Sequence, residues 1–322
     1  MQTLSRRAVL TGIAASLLPS PLRAAQDQAL RIVFPFSAGG AADGIARLVA
    51  EHLRSSLART VIVENIVGAG GRIGARTVKE APPNGTTLLF ASSSQMTLQP
   101  HIYRDLGYDP FDDFVPISQT VKSEVAFAVS GQSPVRSIEQ MIAWFKANPA
   151  QALFGSPGIG TGPHFAGIEF AHLSGLDIRH APYKGTPAAL PDVMAGRLPL
   201  YIALTAELIE QHKSGSIRVL ATADAKRSPF LPDVPTLRES GIAIDAPGWF
   251  GFYAPAHTPP DVISRLEKEI VAAIRVPATQ QKILTMGYQS TGTTAEQLGK
   301  LQREDFERWR ALVNASGVKA EQ

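Results

Sequence analysis

The stretch at 30–57 restricts the possible folds of this chain more than any other part. An apolar run at its start predicts a buried parallel strand, and helical spacing of apolar residues towards its end predicts an amphipathic helix. The loop between them contains Gly39 and Gly40, which allow positive φ angles and close approach of a ligand. Unpaired N–H groups and the dipole at the start of the helix favour an anion there. An ordinary strand-to-helix turn, with Asp43 as a first-turn carboxylate, is the alternative.

Length and composition limit the class of protein. The 322 residues suggest about two domains, and a hydrophobic content of 44% is enough for a sizeable core. The net charge is +3 and the basic residues are scattered, so the charge does not indicate nucleic-acid binding. The sequence contains no cysteine, which excludes disulfides, thiolate metal sites, a cysteine nucleophile and a lipid-anchored cysteine.

Residues 1–25 have the features of an export signal. The segment Ser5–Leu10 contains a pair of arginines and resembles a twin-arginine signal. The apolar stretch that overlaps its end is too short to span a membrane. Cleavage is predicted after Ala24 or Ala25. A general secretory signal is the alternative, and both interpretations predict a periplasmic protein.

The first domain is predicted to continue with strands at 60–64 and 86–91. The glycine-rich segment 68–74 differs from a dinucleotide-binding fingerprint because an isoleucine stands where the third glycine belongs. We therefore expect a tight turn there and no nucleotide site. Ser92 and Ser93 are candidate ligand donors, since ligands of open α/β sheets bind beyond the carboxyl ends of the strands. A solvated serine loop is the alternative.

The arrangement of strand, glycine-rich loop and helix recurs later in the chain. An apolar strand at 124–129 is interpreted as the crossing into a second domain, and a strand at 152–154 leads into the glycine-rich loop 155–162. A helix is predicted to begin near His164, and an apolar strand at 248–253 to return the chain to the first domain. The repeat predicts two similar α/β lobes that face one another.

Side chains near the second loop include candidate ligand donors. His164, His172 and His180 are eight residues apart, a spacing that does not place them on one face of a helix, so we predict no metal site. Lys184 is a cation near the loop, with an ordinary surface lysine as the alternative.

Helix signals mark the rest of the chain. Thr186 is predicted to cap the helix that follows it, and Gly196 to end that helix. Two amphipathic helices near the C-terminus carry apolar stripes of core type. The second contains Trp309 and Leu312, and both helices are expected to pack onto the first domain.

Six parts of the sequence, at 35–47, 63–71, 108–114, 155–164, 182–189 and 225–236, carry a family resemblance in the same order along the chain. They resemble the substrate-binding proteins of tripartite tricarboxylate transporters, also called the Bug family. The resemblance implies an α/β, type II-like, two-lobed periplasmic binding fold. Two Rossmann-like α/β domains would enclose a central cleft and be joined by two crossover strands. We predict lobe one at 26–124 with 250–322, and lobe two at 125–249.

The resemblance also implies a function and partners. Such proteins capture a small, often carboxylated metabolite and deliver it to two integral membrane transporter subunits. For this chain we expect a small-molecule carboxylate ligand, no cofactor, no enzymatic activity and a monomer.

In that family the ligand is held largely by backbone groups and water from two facing glycine-rich loops. Carried over, the first-lobe positions are Phe36, Ser37, Ala38, Gly39, Gly40, Ala41 and Asp43. The second-lobe positions are Gly155, Ser156, Gly158, Gly160, Thr161 and His164, with Tyr183, Lys184 and Gly185 at the rim. The segment 37–38 replaces a common pair of prolines, which predicts a looser first loop. The segment 203–205 lacks an aspartate often found there, which puts an amine-bearing ligand in doubt.

Three functions fit these observations. A solute-binding protein is favoured, because the sequence shows no nucleophile elbow, metal cluster or usefully placed pair of carboxylates. An exported α/β enzyme with His164 as general base and a ligand sensor for a membrane receptor are the alternatives. We expect N–H groups of Ser37–Ala41 and Ser156–Thr161 to hold a ligand carboxylate, with Gly40 at positive φ, because neither loop contains lysine or arginine.

Overall fold

The computed structural model describes residues 28–316, and the predicted export signal lies outside the described residues. The strands are β1 (Leu30–Phe34), β2 (Val61–Asn65), β3 (Thr87–Ser92), β4 (Phe114–Ser123), β5 (Val125–Ser130), β6 (Leu153–Ser156), β7 (Arg179–Pro182), β8 (Leu200–Leu204), β9 (Ile217–Thr222), β10 (Gly248–Pro255) and β11 (Gln289–Ser290). The α-helices are α1 (Ala41–Ser56), α2 (Arg72–Lys79), α3 (Gln99–Ile102), α4 (Ile138–Ala147), α5 (Gly162–Ser174), α6 (Thr186–Met194), α7 (Ile209–Lys213), α8 (Pro260–Arg275), α9 (Pro277–Thr285) and α10 (Ala295–Ser316). Within 28–316, no helix combines the length and apolar character needed to cross a bilayer.

The strands form two sheets with the same internal order. The first runs β2-β1-β3-β10-β4-β11, and the second runs β7-β6-β8-β5-β9. In each sheet, three parallel strands lie at one side: β2-β1-β3 in the first sheet and β7-β6-β8 in the second. One antiparallel strand follows in each, with β10 between β3 and β4 and β5 between β8 and β9. Both β3 and β5 are buried along their whole length, as expected for strands covered on both faces. The predicted two-lobed α/β fold is confirmed.

The chain passes from the first sheet to the second between β4 and β5, and it returns between β9 and β10. β4 ends at Ser123 in the first sheet and β5 begins at Val125 in the second. The strand predicted as the first crossing is thus β5, which lies wholly in the second sheet. The return strand, β10, lies wholly in the first sheet and starts two residues before the predicted boundary at 250. The lobe boundaries themselves stay a prediction.

α10 packs on the first lobe and also reaches the second, a contact that the sequence did not predict. Leu298 belongs to a core cluster of the first lobe. Trp309 and Val313 belong to the main core of the second lobe, and the Trp309 ring meets Phe165 edge-on with centroids 5.0 Å apart. A helix of 22 residues is about 33 Å long, which is enough to run past one lobe and reach the other.

Candidate functional site

A cavity lies between the two lobes. Its wall includes the last residues of β1 and β3 and Pro157 just beyond β6, so it lies where ligands of α/β sheets bind. The wall residues are Phe34, Phe36, Ser37, Gly40, Ala42, Asp43, Ser92, Ser93, Ser94, Ser123, Val125, Pro157, Thr161, Gly162, Pro163, Gly185, Thr186, Pro187, Leu204, Glu207, Ala246, Pro247, Gly248, Trp249, Phe250 and Trp309.

The first loop, between β1 and α1, brings Ser37 and Gly40 to the wall. Gly40 is the N-cap of α1, and no side chain caps the first N–H groups of this helix. Those groups are therefore available to an anion. The positive φ expected at Gly40 is wrong: Gly40 has φ −77, and the positive φ, +87, belongs to Gly39. A Cβ at Gly40 would lie 3.5 Å from Oε1 of Glu207 on the opposite wall.

Asp43 holds the first loop in place. Its Oδ2 accepts hydrogen bonds from the N–H of Gly39 at 3.0 Å and from Nε of Arg47 at 2.8 Å, and its Oδ1 accepts one from Nδ2 of Asn65 at 2.9 Å. Burial raises the pKa of Asp43, but the hydrogen bonds from Arg47, Asn65 and Gly39 outweigh it and leave the pKa below its ordinary value. The carboxylate is thus engaged by donors of its own lobe.

The second loop, between β6 and α5, brings Thr161 and Gly162 to the wall. Thr161 is the N-cap of α5, and its hydroxyl accepts a hydrogen bond from the N–H of His164 at 3.3 Å. Gly160 has φ +74, and a Cβ there would lie 2.8 Å from the hydroxyl of Tyr103. Only glycine fits this position, because it must adopt positive φ beside a side chain of the first lobe.

His164 lies behind the second loop and is not part of the cavity wall. Its Nδ1 accepts a hydrogen bond from the N–H of Gly160 at 3.2 Å, and its ring lies 4.1 Å from that of His180. Burial lowers the pKa of His164 to about 4; burial, together with His164, lowers that of His180 to about 3. Both imidazoles are therefore neutral at pH 7. His164 supports the loop, and in the described structure it does not reach the cavity as a general base would have to.

A third helix N-terminus, that of α6, also reaches the wall. Gly185 is its N-cap, with φ 92, so the prediction that Thr186 is the cap is wrong. Thr186 is the first residue of the helix, and its hydroxyl forms hydrogen bonds with two side chains of the same lobe. It accepts a hydrogen bond from the hydroxyl of Tyr201 at 2.9 Å and donates one to the carboxylate of Glu207.

The predicted ligand contacts divide into two groups. Those on the cavity wall are Phe36, Ser37, Gly40, Asp43, Ser92, Ser93, Thr161 and Gly185. Those outside the wall are Ala38, Gly39, Ala41, Gly155, Ser156, Gly158, Gly160, His164, Tyr183 and Lys184. Lys184 is exposed and lines an outer groove that adjoins the cavity and shares Phe36, Ser37, Pro157, Thr161 and Gly185 with its wall. The hydroxyl of Tyr183 donates to Asp192 at 2.8 Å, away from the cavity.

Glu207 and Trp309 belong to the wall although no sequence pattern predicted them there. A signal exists for Glu207, since it stands just beyond the carboxyl end of β8, where ligands of such sheets bind. Trp309 has no such signal, because helical periodicity does not reveal that the end of α10 reaches the other lobe.

The wall is suited to an anion without offering it a positive side chain. The N-termini of α1, α5 and α6 meet there, and the hydroxyls of Ser92, Ser93 and Ser94 add neutral hydrogen-bond donors. None of the wall residues is a lysine, arginine or histidine. Within the described part of the chain, no three acidic or histidine side chains are grouped closely enough to hold a metal ion.

The two lobes touch across the mouth of the cavity. The hydroxyl of Ser37 donates to the carbonyl of Lys184 at 3.4 Å. Gly70 lies so close to Ile159 that a Cβ on Gly70 would be 2.4 Å from the carbonyl oxygen of Ile159. The glycine-rich segment 68–71 therefore forms an interlobe contact as well as a turn.

Known proteins resemble this chain over nearly its whole length. The family model described as the tripartite tricarboxylate transporter family receptor, TctC, matches residues 45–318. A UPF0065 protein from the tcbD-tcbE intergenic region of Pseudomonas sp. strain P51 is 32% identical, over 97% of this chain and 95% of that protein.

Two solved structures share the fold. The periplasmic binding protein BugD gives a TM-score of 0.86 at 32% identity, over 91% of this chain and 99% of BugD. Rpa4515 of R. palustris, solved with adipate, gives a TM-score of 0.86 at 27% identity, again over 91% and 99%. The family is one of transporter receptors and BugD is a periplasmic binding protein, which confirms the prediction of a binding protein and not an enzyme. The chain belongs to the TctC family of tripartite tricarboxylate transporter receptors, the Bug periplasmic binding proteins.

Proposed function

We propose that this protein binds a small carboxylate-bearing metabolite between its lobes and delivers it to a membrane transporter of the tripartite tricarboxylate type. One observation carries the proposal: three helix N-termini meet at one cavity whose wall has no basic side chain. Hydrogen bonds to a charged group contribute about 1.5–3 kcal/mol each. Several of them together support micromolar binding, which requires about 8 kcal/mol.

The family supports the remaining parts of the proposal. Its receptors are named for a tripartite transporter, and Rpa4515 was solved with adipate, a dicarboxylate. We extend these properties to this chain. It would act in the periplasm after cleavage of residues 1–25, with two integral membrane subunits receiving the ligand.

Thermal unfolding and titration calorimetry test the binding step. The purified protein is screened against mono-, di- and tricarboxylates, including amino acids, and against the corresponding uncharged amides. We expect at least one carboxylate to raise the Tm, because a ligand that binds only the folded state stabilises it, and the corresponding amide to have no effect. Binding of the amide as tightly as the acid would contradict an anion site. Loss of uptake of the identified ligand in cells lacking this protein tests delivery.

A further inference from the structure

We infer that Glu207 recognises an ammonium group, so that the ligand of the interlobe cavity is a zwitterion with its ammonium close to its carboxylate. The inference rests on the proposed binding function and narrows its ligand class. It depends on the hydrogen bonds, the surroundings and the position of Glu207. This residue lies two positions beyond the segment 203–205 and supplies a carboxylate in place of the aspartate whose absence there put an amine-bearing ligand in doubt.

The hydrogen bonds around Glu207 leave one carboxylate oxygen available. The hydroxyl of Tyr201 is buried, and in the described structure Thr186 is its hydrogen-bond partner. A buried hydroxyl needs an acceptor, so Tyr201 donates to Thr186, and Thr186 directs its own proton to Oε2 of Glu207. Oε2 therefore acts as an acceptor, and among the described residues no hydrogen bond engages Oε1, which faces Gly40 and remains for a ligand group in the cavity.

Glu207 also lacks a positively charged partner in the described chain. No lysine, arginine or histidine of the described chain lies within ion-pair distance of it. The other acidic residue of the wall, Asp43, is paired with Arg47 at 2.8 Å. Burial raises the pKa of Glu207 because its charge is poorly solvated there. A cationic ligand group beside Glu207 would favour its ionised form, whereas a second ligand carboxylate there would disfavour it.

The position of Glu207 limits the spacing of the two ligand charges. Its Oε1 lies 3.5 Å from the place that a Cβ on Gly40 would occupy. Gly40 is the N-cap of α1, whose uncapped N–H groups favour a carboxylate. The anion-binding and cation-binding groups are therefore neighbours across a narrow gap. They suit an ammonium one or two carbons from a carboxylate, as in an amino acid.

Paired ligands test the inference. Titration calorimetry compares common amino acids with their desamino counterparts, for example aspartate with succinate, glutamate with glutarate and alanine with propionate. The proteins are the wild type, Glu207→Gln and Glu210→Gln. Glutamine keeps the size of Glu207 and can still accept from Thr186. Glu210 is an exposed residue of α7 outside the cavity wall, and its substitution makes the same change in charge.

We expect the wild type to bind at least one amino acid tenfold or more tightly than its desamino counterpart. Glu207→Gln should lose that preference, with desamino binding kept or strengthened, and Glu210→Gln should behave as the wild type. Equal or tighter binding of the desamino acids by the wild type overturns the inference, as does an unchanged preference in Glu207→Gln. Binding of carboxylates without regard to the ammonium refutes only the inference. Failure to bind any carboxylate refutes the proposed function as well.

Discussion

The side-chain amide of Gln99, between β3 and β4, donates a hydrogen bond to the carbonyl oxygen of Gly160 in the second lobe, across 3.0 Å. The same nitrogen donates to the carbonyl of Gly70 at 2.8 Å, and the side chain is fully buried. One amide group thus joins glycine-rich segments of both lobes at the mouth of the cavity. Contacts that hold the mouth shut bear on ligand affinity, because a ligand enclosed by both lobes binds the closed arrangement.

We expect Gln99→Leu to favour an open arrangement of the lobes. Each lost hydrogen bond contributes about 0.5–1.5 kcal/mol, so affinity for a confirmed ligand should fall about 3- to 10-fold. Small-angle scattering of the ligand-free variant should give a larger radius of gyration than the wild type. Gln302→Leu is the matched control, because buried Gln302 donates to the carbonyl of Pro110 at 3.0 Å within one lobe. A radius equal to that of the wild type would contradict this role for Gln99.

Binding should depend more on the shape of the first loop than on the charge at the rim. Gly40→Val places a branched side chain beside Glu207, where a Cβ already lies at contact distance. Its φ of −77 tolerates valine, so the variant should fold and lose ligand affinity tenfold or more by filling the cavity. Lys184→Met should change affinity by no more than about fivefold, because Lys184 is exposed and such charges contribute about 0–1 kcal/mol. Titration calorimetry decides, and the reverse ranking would favour a lysine–carboxylate pair.

The parts of the site that lie on one strand, one loop and one helix could be predicted from the sequence. The segments β1 to α1 and β6 to α5 carry local signals: an apolar strand, paired or repeated glycines, and a helix start. The similarity of the two lobes followed from the repetition of these signals. The choice between Gly39 and Gly40 for the positive φ could not be predicted, because both glycines tolerate it and the hydrogen bond from Gly39 to Asp43 decides.

Features that depend on distant contacts were not predictable. β4 contains Ser118, Gln119 and Thr120, which hide its strand character although all three are buried. Their polar groups find hydrogen-bond partners in distant parts of the sequence. For example, the hydroxyl of Ser118 donates to the carbonyl of Thr293 at 2.7 Å. The position of Glu207 just beyond β8 is a signal for a ligand site, but its hydrogen bond with Thr186 could not be predicted. The two residues are 21 apart, and each alone resembles an ordinary turn or cap.

The neighbouring, tilted rings of His164 and His180 should make stability fall on acidification. The pKa of each lies below the ordinary value of 6.5, at about 4 and about 3, because burial disfavours the charged imidazole. The unfolded chain therefore takes up more protons as pH falls below about 6.5, and stability present above that pH is progressively lost towards pH 3.

The Tm measured between pH 7 and 4 should consequently fall less steeply in His164→Gln than in the wild type. Glutamine can still accept from the N–H of Gly160, so the loop is retained. His172→Gln serves as the control, since His172 is exposed on the same helix and should leave the pH profile unchanged. Parallel profiles for the wild type and His164→Gln would show that the histidine pair does not govern this dependence.

Two carboxylate–arginine pairs of the first lobe differ in their burial and in the other groups that the carboxylate holds in place. Asp43 is buried, with Arg47 at 2.8 Å, and also fixes Gly39 and Asn65. Glu64 pairs with Arg31 at 2.7 Å in a similar two-pronged geometry, but both side chains are partly exposed.

Asp43→Asn should therefore destabilise the protein by about 1.5–3 kcal/mol, the range for hydrogen bonds to charged groups, and should weaken ligand binding because the first loop loses its internal support. Glu64→Gln should cost about 0–1 kcal/mol, as exposed pairs do, and leave binding unchanged. Urea unfolding and calorimetry measure both effects at pH 7.

At pH values below about 3.8 the difference in the free energy of unfolding between Asp43→Asn and the wild type should narrow. The depressed pKa of Asp43 confers stability that is lost as the carboxylate becomes protonated. Equal losses in the two variants, or a gap independent of pH, would mean that Asp43 is not the residue that holds the loop.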